Sequence, residues 1–181
     1  MRDTSAFVNP SAPPGESQRY ARPERERRFL LAVQPPGAVE KTARIVDRYL
    51  PGTRLRLRHM IETQGTQTAT YYKLTQKVPA PEGGPGLIST AYLNADEYRL
   101  LASLPAVVLR KTRYSIPPFG VDAYEAPLNG LLLGEVEFEA DDAMNAFNPP
   151  AWIRAEVTLD PRFTGGHLAT LRSQDLMPLL S

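Results

Sequence analysis

The chain has 181 residues, 42% of them hydrophobic and 23% charged, with a formal net charge of +1 and no cysteine. That length suits one domain with a sizeable core. The near-neutral charge argues against a general field for nucleic acid or an anionic membrane. The missing cysteines exclude a disulfide scaffold, a thiolate nucleophile and a Cys-ligated zinc site. No apolar run reaches the roughly 18 residues of a membrane span. The first residues hold no apolar h-region, so no secretory signal is expected and a cytoplasmic setting is.

Residues 1–22 are rich in Pro, Ser, Ala and Gly without a period, and read as a disordered leader to a single domain over 23–181. The stretch Glu24 to Leu31 then reads as a strand. Its period-two pattern sets Glu24, Glu26 and Arg28 on one face and Arg25, Arg27, Phe29 and Leu31 on the other. Two carboxylates two residues apart lie about 7 Å from each other on a strand. Such a pair can share a hard cation such as Mg2+ or Mn2+. The alternative is an edge strand with a solvated, mixed-charge face.

Gln34 to Gly37 is a turn cluster, and Val39, Ala43, Val46 and Leu50 at helical spacing predict a helix over Ala38 to Leu50. Thr53 to Thr63 predicts a strand with Arg54, Arg56 and Arg58 on one face, and Gln64 to Gln67 a hairpin turn. The returning strand, Ala69 to Val78, carries Lys73, Thr75 and Lys77 on one face. Pro79 to Gly86 is a loop whose glycines lack the Gly-Lys-Ser/Thr ending of a phosphate loop.

Leu87 to Leu93 is a further strand, and Asn94 caps a short helix to Ser103. Ala106 to Ile116 carries Lys111 and Arg113 on one face, Pro117 to Gly120 turns it, and Val121 to Tyr124 follows with Asp122 and Tyr124 together. Leu131 to Ala140 alternates clearly, with Glu135, Glu137 and Glu139 on one face. A helical turn from Asp141, a last strand Trp152 to Leu159 carrying Arg154, Glu156 and Thr158 on one face, and two short helical pieces complete the chain. Many short strands with few helices predict an α+β domain built on an antiparallel barrel or strongly curved sheet.

Each charged strand face carries nearly one sign, and like charges on a face repel. Either these faces meet solvent, or they face a lumen. In a lumen the basic strands suit a chain of phosphates, and the acidic ones hold a divalent cation that bridges to it. The mixture of signs favours a metal–polyphosphate site over nucleic acid, which would also want stacking aromatics among the basic residues. His59 and His167 are isolated, and no nucleophile elbow is present.

Six motifs in order resemble the CYTH, or triphosphate tunnel metalloenzyme, superfamily: Glu24-x-Glu26-x-Arg28, Leu55-Arg56-Leu57-Arg58, Lys73 to Lys77, Lys111-Thr112-Arg113-Tyr114, Glu135-Val136-Glu137 and Glu156-Val157-Thr158. The resemblance spans roughly Glu24 to Leu171. It implies an eight-stranded antiparallel β-barrel forming a tunnel, and hydrolysis of an inorganic, nucleoside or organic triphosphate with Mg2+ or Mn2+. A class IV adenylyl cyclase-like reaction and a non-catalytic polyphosphate-binding role are the alternatives. The expected partner is a small-molecule triphosphate, on a monomer or homodimer, with neither membrane nor nucleic acid involved.

By the resemblance, Glu24, Glu26 and Arg28 are catalytic. Glu24, Glu26 and Glu156 are metal ligands, supported by Glu135 and Glu137. Arg56, Arg58, Lys77, Lys111 and Arg113 grip the triphosphate, and Arg54 and Lys73 join them by parity. The first motif departs from the family: Arg28 stands where a lysine is usual. A lysine can lower its pKa and shuttle a proton, whereas an arginine effectively cannot.

Overall fold

The computed structural model describes residues 21–78 and 86–180. Most of the expected leader and of the loop Pro79 to Gly86 lies outside them. Arg22, counted with the leader, belongs to a short strand instead.

The fold is a single antiparallel sheet with short helices, an α+β arrangement. Its strands are β1 (Arg22–Pro23), β2 (Glu26–Leu31), β3 (Lys41–Tyr49), β4 (Leu55–Gln64), β5 (Gln67–Val78), β6 (Leu87–Leu93), β7 (Val107–Ile116), β8 (Phe119–Tyr124), β9 (Leu132–Glu137) and β10 (Ile153–Glu156). The helices are α1 (Ala95–Ala102), α2 (Asp141–Ala146), α3 (Gly165–Leu168) and α4 (Leu176–Leu180). The strand order is β1-β6-β5-β4-β3-β7-β8-β9-β2-β10. This is ten strands among the described residues rather than the eight expected, in a ladder with free ends at β1 and β10. β1 and β2 are split by Glu24-Arg25 only, yet they occupy the first and ninth places of that order.

The largest departure from expectation is β3. Helical spacing of apolar residues predicted a helix there, but the segment is a central strand paired with both β4 and β7. Burial alternates instead: Ala43, Ile45 and Asp47 are buried while Arg44 is exposed. Thr42, Ile45, Val46 and Tyr49 supply the β-branched and aromatic content that a pleated strand favours. Of the positions read at helical spacing, Ala43 and Val46 fall on opposite faces of the strand, and two flanking strands set the period.

The other expected elements form close to their expected bounds. Gly65 turns the β4–β5 hairpin at φ +57, a conformation that costs glycine no Cβ clash. Asn94 caps α1 by accepting from the Asp96 and Glu97 amides, and the Glu97 carboxylate reciprocates. β9 and β10 are shorter than expected, so Glu139 lies beyond its strand.

Two apolar clusters clamp the sheet. One lies on the faces of β2, β7, β8 and β9 that carry Phe29, Leu31, Ile116, Phe119, Val121 and Val136, covered by Phe147 and Trp152. The other combines Leu30, Leu109, Tyr124 and Leu133, from the opposite face, with Phe163, Leu168 and Leu179 of the C-terminal segment. That second face is therefore apolar where α3 and α4 pack on it and charged farther along. Gly165 allows the close approach: a Cβ there would lie 2.0 Å from the Tyr49 hydroxyl.

Candidate active site

Register assembles the charged face. Arg58 lies opposite Asp47 and Lys73, and Arg56 opposite Tyr49 and Thr75. Arg113 lies opposite Ala43 and Asp122, and Lys111 opposite Ile45 and Tyr124. Glu135 lies opposite Gly120 and Arg28, and Glu137 opposite Glu26. Residues directly opposite in an antiparallel pair share a face. One side of the sheet thus gathers the charges that the sequence scattered over more than a hundred positions.

The cavity at their centre has a volume of about 110 Å³. It is lined by six cations, Arg28, Arg56, Arg58, Lys77, Lys111 and Arg113, and four carboxylates, Glu24, Glu26, Glu135 and Glu137. A wider compartment of about 450 Å³ shares Arg58, Arg113, Glu135 and Glu137 with it. That compartment adds Lys41, Glu62 and Lys73 and an apolar wall of Ile45, Met60 and Phe119.

Most of these charges pair with one another. Glu24 accepts from Lys77 Nζ. Arg28 donates to Glu26, to Glu135 at 3.2 Å and to the Phe163 carbonyl at 3.3 Å. Arg113 grips Asp122 at 2.6 and 2.7 Å and also reaches Glu135, while Lys111 joins it on Asp122. Arg58 holds Asp47 through two hydrogen bonds of 2.6 and 2.8 Å. Arg56 Nη2 donates to Thr75 Oγ1 at 3.1 Å, but its Nε is buried without a hydrogen-bond partner among the described residues. That Nε lies 3.7 Å from Asp47 Oδ1, within ion-pair range though too far for a hydrogen bond.

Burial shapes the titration of this cluster. It raises the Glu26 carboxyl, reinforced by the nearby Glu135 charge and opposed by Arg28 and Lys77. Glu135 is buried too, yet Arg113, Lys111 and Arg28 hold it well below the usual carboxylate range. Burial pushes Lys111 down toward its neutral form, against the pull of Asp122.

Three expected residues stand apart. Glu156 is on the opposite face: its backbone pairs with Phe29, and its carboxylate takes Arg27 Nε and Nη2 at 2.9 and 2.6 Å. The Arg27 hydrogen bond lowers its pKa. It is therefore placed away from the other carboxylates, because strand β10 meets β2 through an irregular register between Ile153 and Ala155 that counting by twos did not follow. Arg54 precedes β4 and is exposed, outside both compartments. Lys73 lines the wider compartment and sits 5.0 Å from the Tyr92 ring centre.

Asp47 was missed, because it lay inside the segment taken for a helix; Asp122 had been placed on a face with Tyr124 without a role. Both are fully buried. Tyr49 and Tyr124, which line the cavity, were missed as site residues. Burial raises the pKa of both phenols. A lone aspartate at strand parity among β-branched residues was the available signal.

The cavity's carboxylates are oxygen donors, the ligand type that a hard divalent cation takes. Among the described residues, no three acidic or histidine side chains are already gathered at ligating distance. No helix among them is long and apolar enough to cross a membrane.

Fold and site together define an antiparallel β-sheet protein with a cavity of interleaved cations and carboxylates. No family model matches the chain. It is 35% identical over 163 residues to the inorganic triphosphatase of Nitrosomonas europaea, across 81% of this chain and 96% of that protein. Among solved structures it resembles the hypothetical protein NE1496, with TM-score 0.53 and 31% identity over 82% of this chain and 99% of the other. It also resembles the inorganic triphosphatase NE1496, with TM-score 0.51 and 29% identity over 81% and 93% of the two chains. The chain belongs to the CYTH-type triphosphatase family, a family of enzymes.

Proposed function

We propose that this chain hydrolyses a linear triphosphate, inorganic triphosphate foremost, with Mg2+ or Mn2+, inside a tunnel formed by its curved sheet. The carrying observation is the single cavity where Arg28, Arg56, Arg58, Lys77, Lys111 and Arg113 meet four carboxylates. The tunnel is supported by the two-residue link between β1 and β2, which joins distant places in the strand order.

Guanidinium forks match phosphate oxygens geometrically, so Arg56, Arg58 and Arg113 bind and orient the chain of phosphates. Glu24 and Glu26, with Glu135 and Glu137 beside them, would hold the cation. When bound, that cation neutralises phosphate charge and lowers the pKa of water. A water oxygen bonds to the terminal phosphorus as the bridging P–O bond breaks, one water proton passes to a site carboxylate or a phosphate oxygen, and the products are diphosphate and phosphate. The carboxylates would exchange their present cations for the metal while those cations turn to phosphate, which avoids exposing bare charge.

A second reading rests on Arg28. It spends its nitrogens on Glu26, Glu135 and Phe163, and burial notwithstanding those acids hold it protonated. A chain without a proton carrier at that position would bind triphosphate and release it intact. Phosphate release from tripolyphosphate with Mg2+ or Mn2+ tests both: turnover supports hydrolysis, and calorimetric binding without turnover supports the binder. Folded protein showing neither removes both readings.

A further inference from the structure

Asp47 is fully buried, sits directly opposite Arg58 in the β3–β4 register, and lines neither compartment. Both arginines nearest to it do line the phosphate cavity. Arg58 gives Asp47 its Nε and Nη2, a bidentate grip that fixes the plane of the guanidinium and leaves Nη1 outside the pairing. Arg56 Nε lies 3.7 Å from the same carboxylate, held near it without a hydrogen bond. Two like charges two residues apart on one strand face would otherwise repel and swing apart. One carboxylate behind them removes that freedom.

We propose that Asp47 is the positioning residue of the phosphate grip, holding Arg58 and Arg56 in one fixed arrangement before and after the substrate arrives. This rests on the triphosphate reading of the cavity. It separates Asp47 from Glu24, Glu26 and Glu135, which face the cavity and can exchange partners. Asp47 has no access to metal or substrate and stays with its arginines. Burial by itself would raise Asp47, but the Arg58 charge and hydrogen bonds, with Arg56 and Lys111 behind, bring it down to about 2. The anchor therefore remains ionised throughout any working pH range.

The test is a double-mutant cycle on tripolyphosphate binding, measured by calorimetry with Asp47→Asn, Arg58→Met and the two combined. Asp47→Asn keeps the size of the side chain but removes the charge and one of its two acceptor contacts. Misplaced groups cost roughly ten- to a hundredfold, so the dissociation constant should rise by about that factor in the single Asp47→Asn variant. It should rise little further when Arg58→Met is already present. Wild-type affinity in folded Asp47→Asn, or losses that simply multiply, would overturn the proposal. Absent binding by the wild-type protein would instead count against the triphosphate reading itself.

A measurement on the wild-type protein covers a variant that fails to fold. The Arg58 Nε–H resonance should stay protected from exchange when tripolyphosphate is added, while the Arg28 Nε–H resonance shifts. An Arg58 signal that loses its protection on binding would show that Asp47 is displaced rather than retained.

Discussion

The two faces of β2 hold two ion clusters of similar composition and opposite character. On one, Arg28 bridges Glu26 and Glu135, with Arg28 and Glu26 side chains only 10% and 17% exposed. On the other, Arg27 grips Glu156, whose side chain is 39% exposed. The first lies beside further cations in a cavity. The second is closed on itself: Arg27 also donates to the Phe147 carbonyl at 2.6 Å and lies 5.4 Å from the Phe29 ring centre. It ties α2 and β10 to the sheet. A carboxylate's role here follows from the face it occupies, and one residue of register changes the face.

The sharpest way to break this comparison is to neutralise one carboxylate in each cluster. Glu26→Gln should lower triphosphate hydrolysis by a factor on the order of 10² or more, because it removes a charge from the reacting site. Equal loss from Glu156→Gln would mean that the two clusters act together and that the outward placement of Glu156 has no functional meaning.

Stability against acid gives a smaller effect and separates buried from lining acids. Asp47 has its folded pKa depressed to about 2 from 3.8, so its contribution is fully present above the unfolded value and is lost as pH falls through about 2. That shift corresponds to about 2 kcal/mol. Asp47→Asn should therefore flatten the unfolding free energy between roughly pH 4 and pH 2 in urea titrations. Glu26, raised by burial and by Glu135, has the opposite sign: its ionisation costs stability as pH rises through its folded pKa. Glu26→Gln should accordingly leave the acid limb standing. An Asp47→Asn protein with the wild-type acid limb would show that the Asp47 carboxyl is not depressed in the folded state.

The smallest expected effect is on the outer cluster. Glu156→Ala should change stability by about 1 kcal/mol or less, as exposed pairs do, and should leave the Mn2+ dependence of hydrolysis unaltered. A large shift in that dependence would return Glu156 to the metal site.

Local pattern in the chain determined much of this protein. Alternation in β2, β4, β5, β7 and β9 was legible because successive side chains of a strand point to opposite faces, so residues of one kind recur at every second position. The same alternation placed Glu24, Glu26, Arg28, Arg56, Arg58, Lys77, Lys111, Arg113, Glu135 and Glu137 by face before any partner was known, and they line one cavity. Asn94 announced its helix because capping is a contact over three residues.

Tertiary structure decided the rest. β3 is a strand because β4 and β7 flank it, and its local β-branched content was outweighed by apolar residues at helical spacing. With β3 came Asp47, whose meaning exists only opposite Arg58. Glu156 was joined to the metal site by the family resemblance, and a register irregularity between β10 and β2 sets it on the opposite face. Arg28 and Glu135 meet across 107 residues of sequence. Such pairs form only when the whole sheet closes the intervening loops, and that is why local pattern could assign the charges to faces but not to one another.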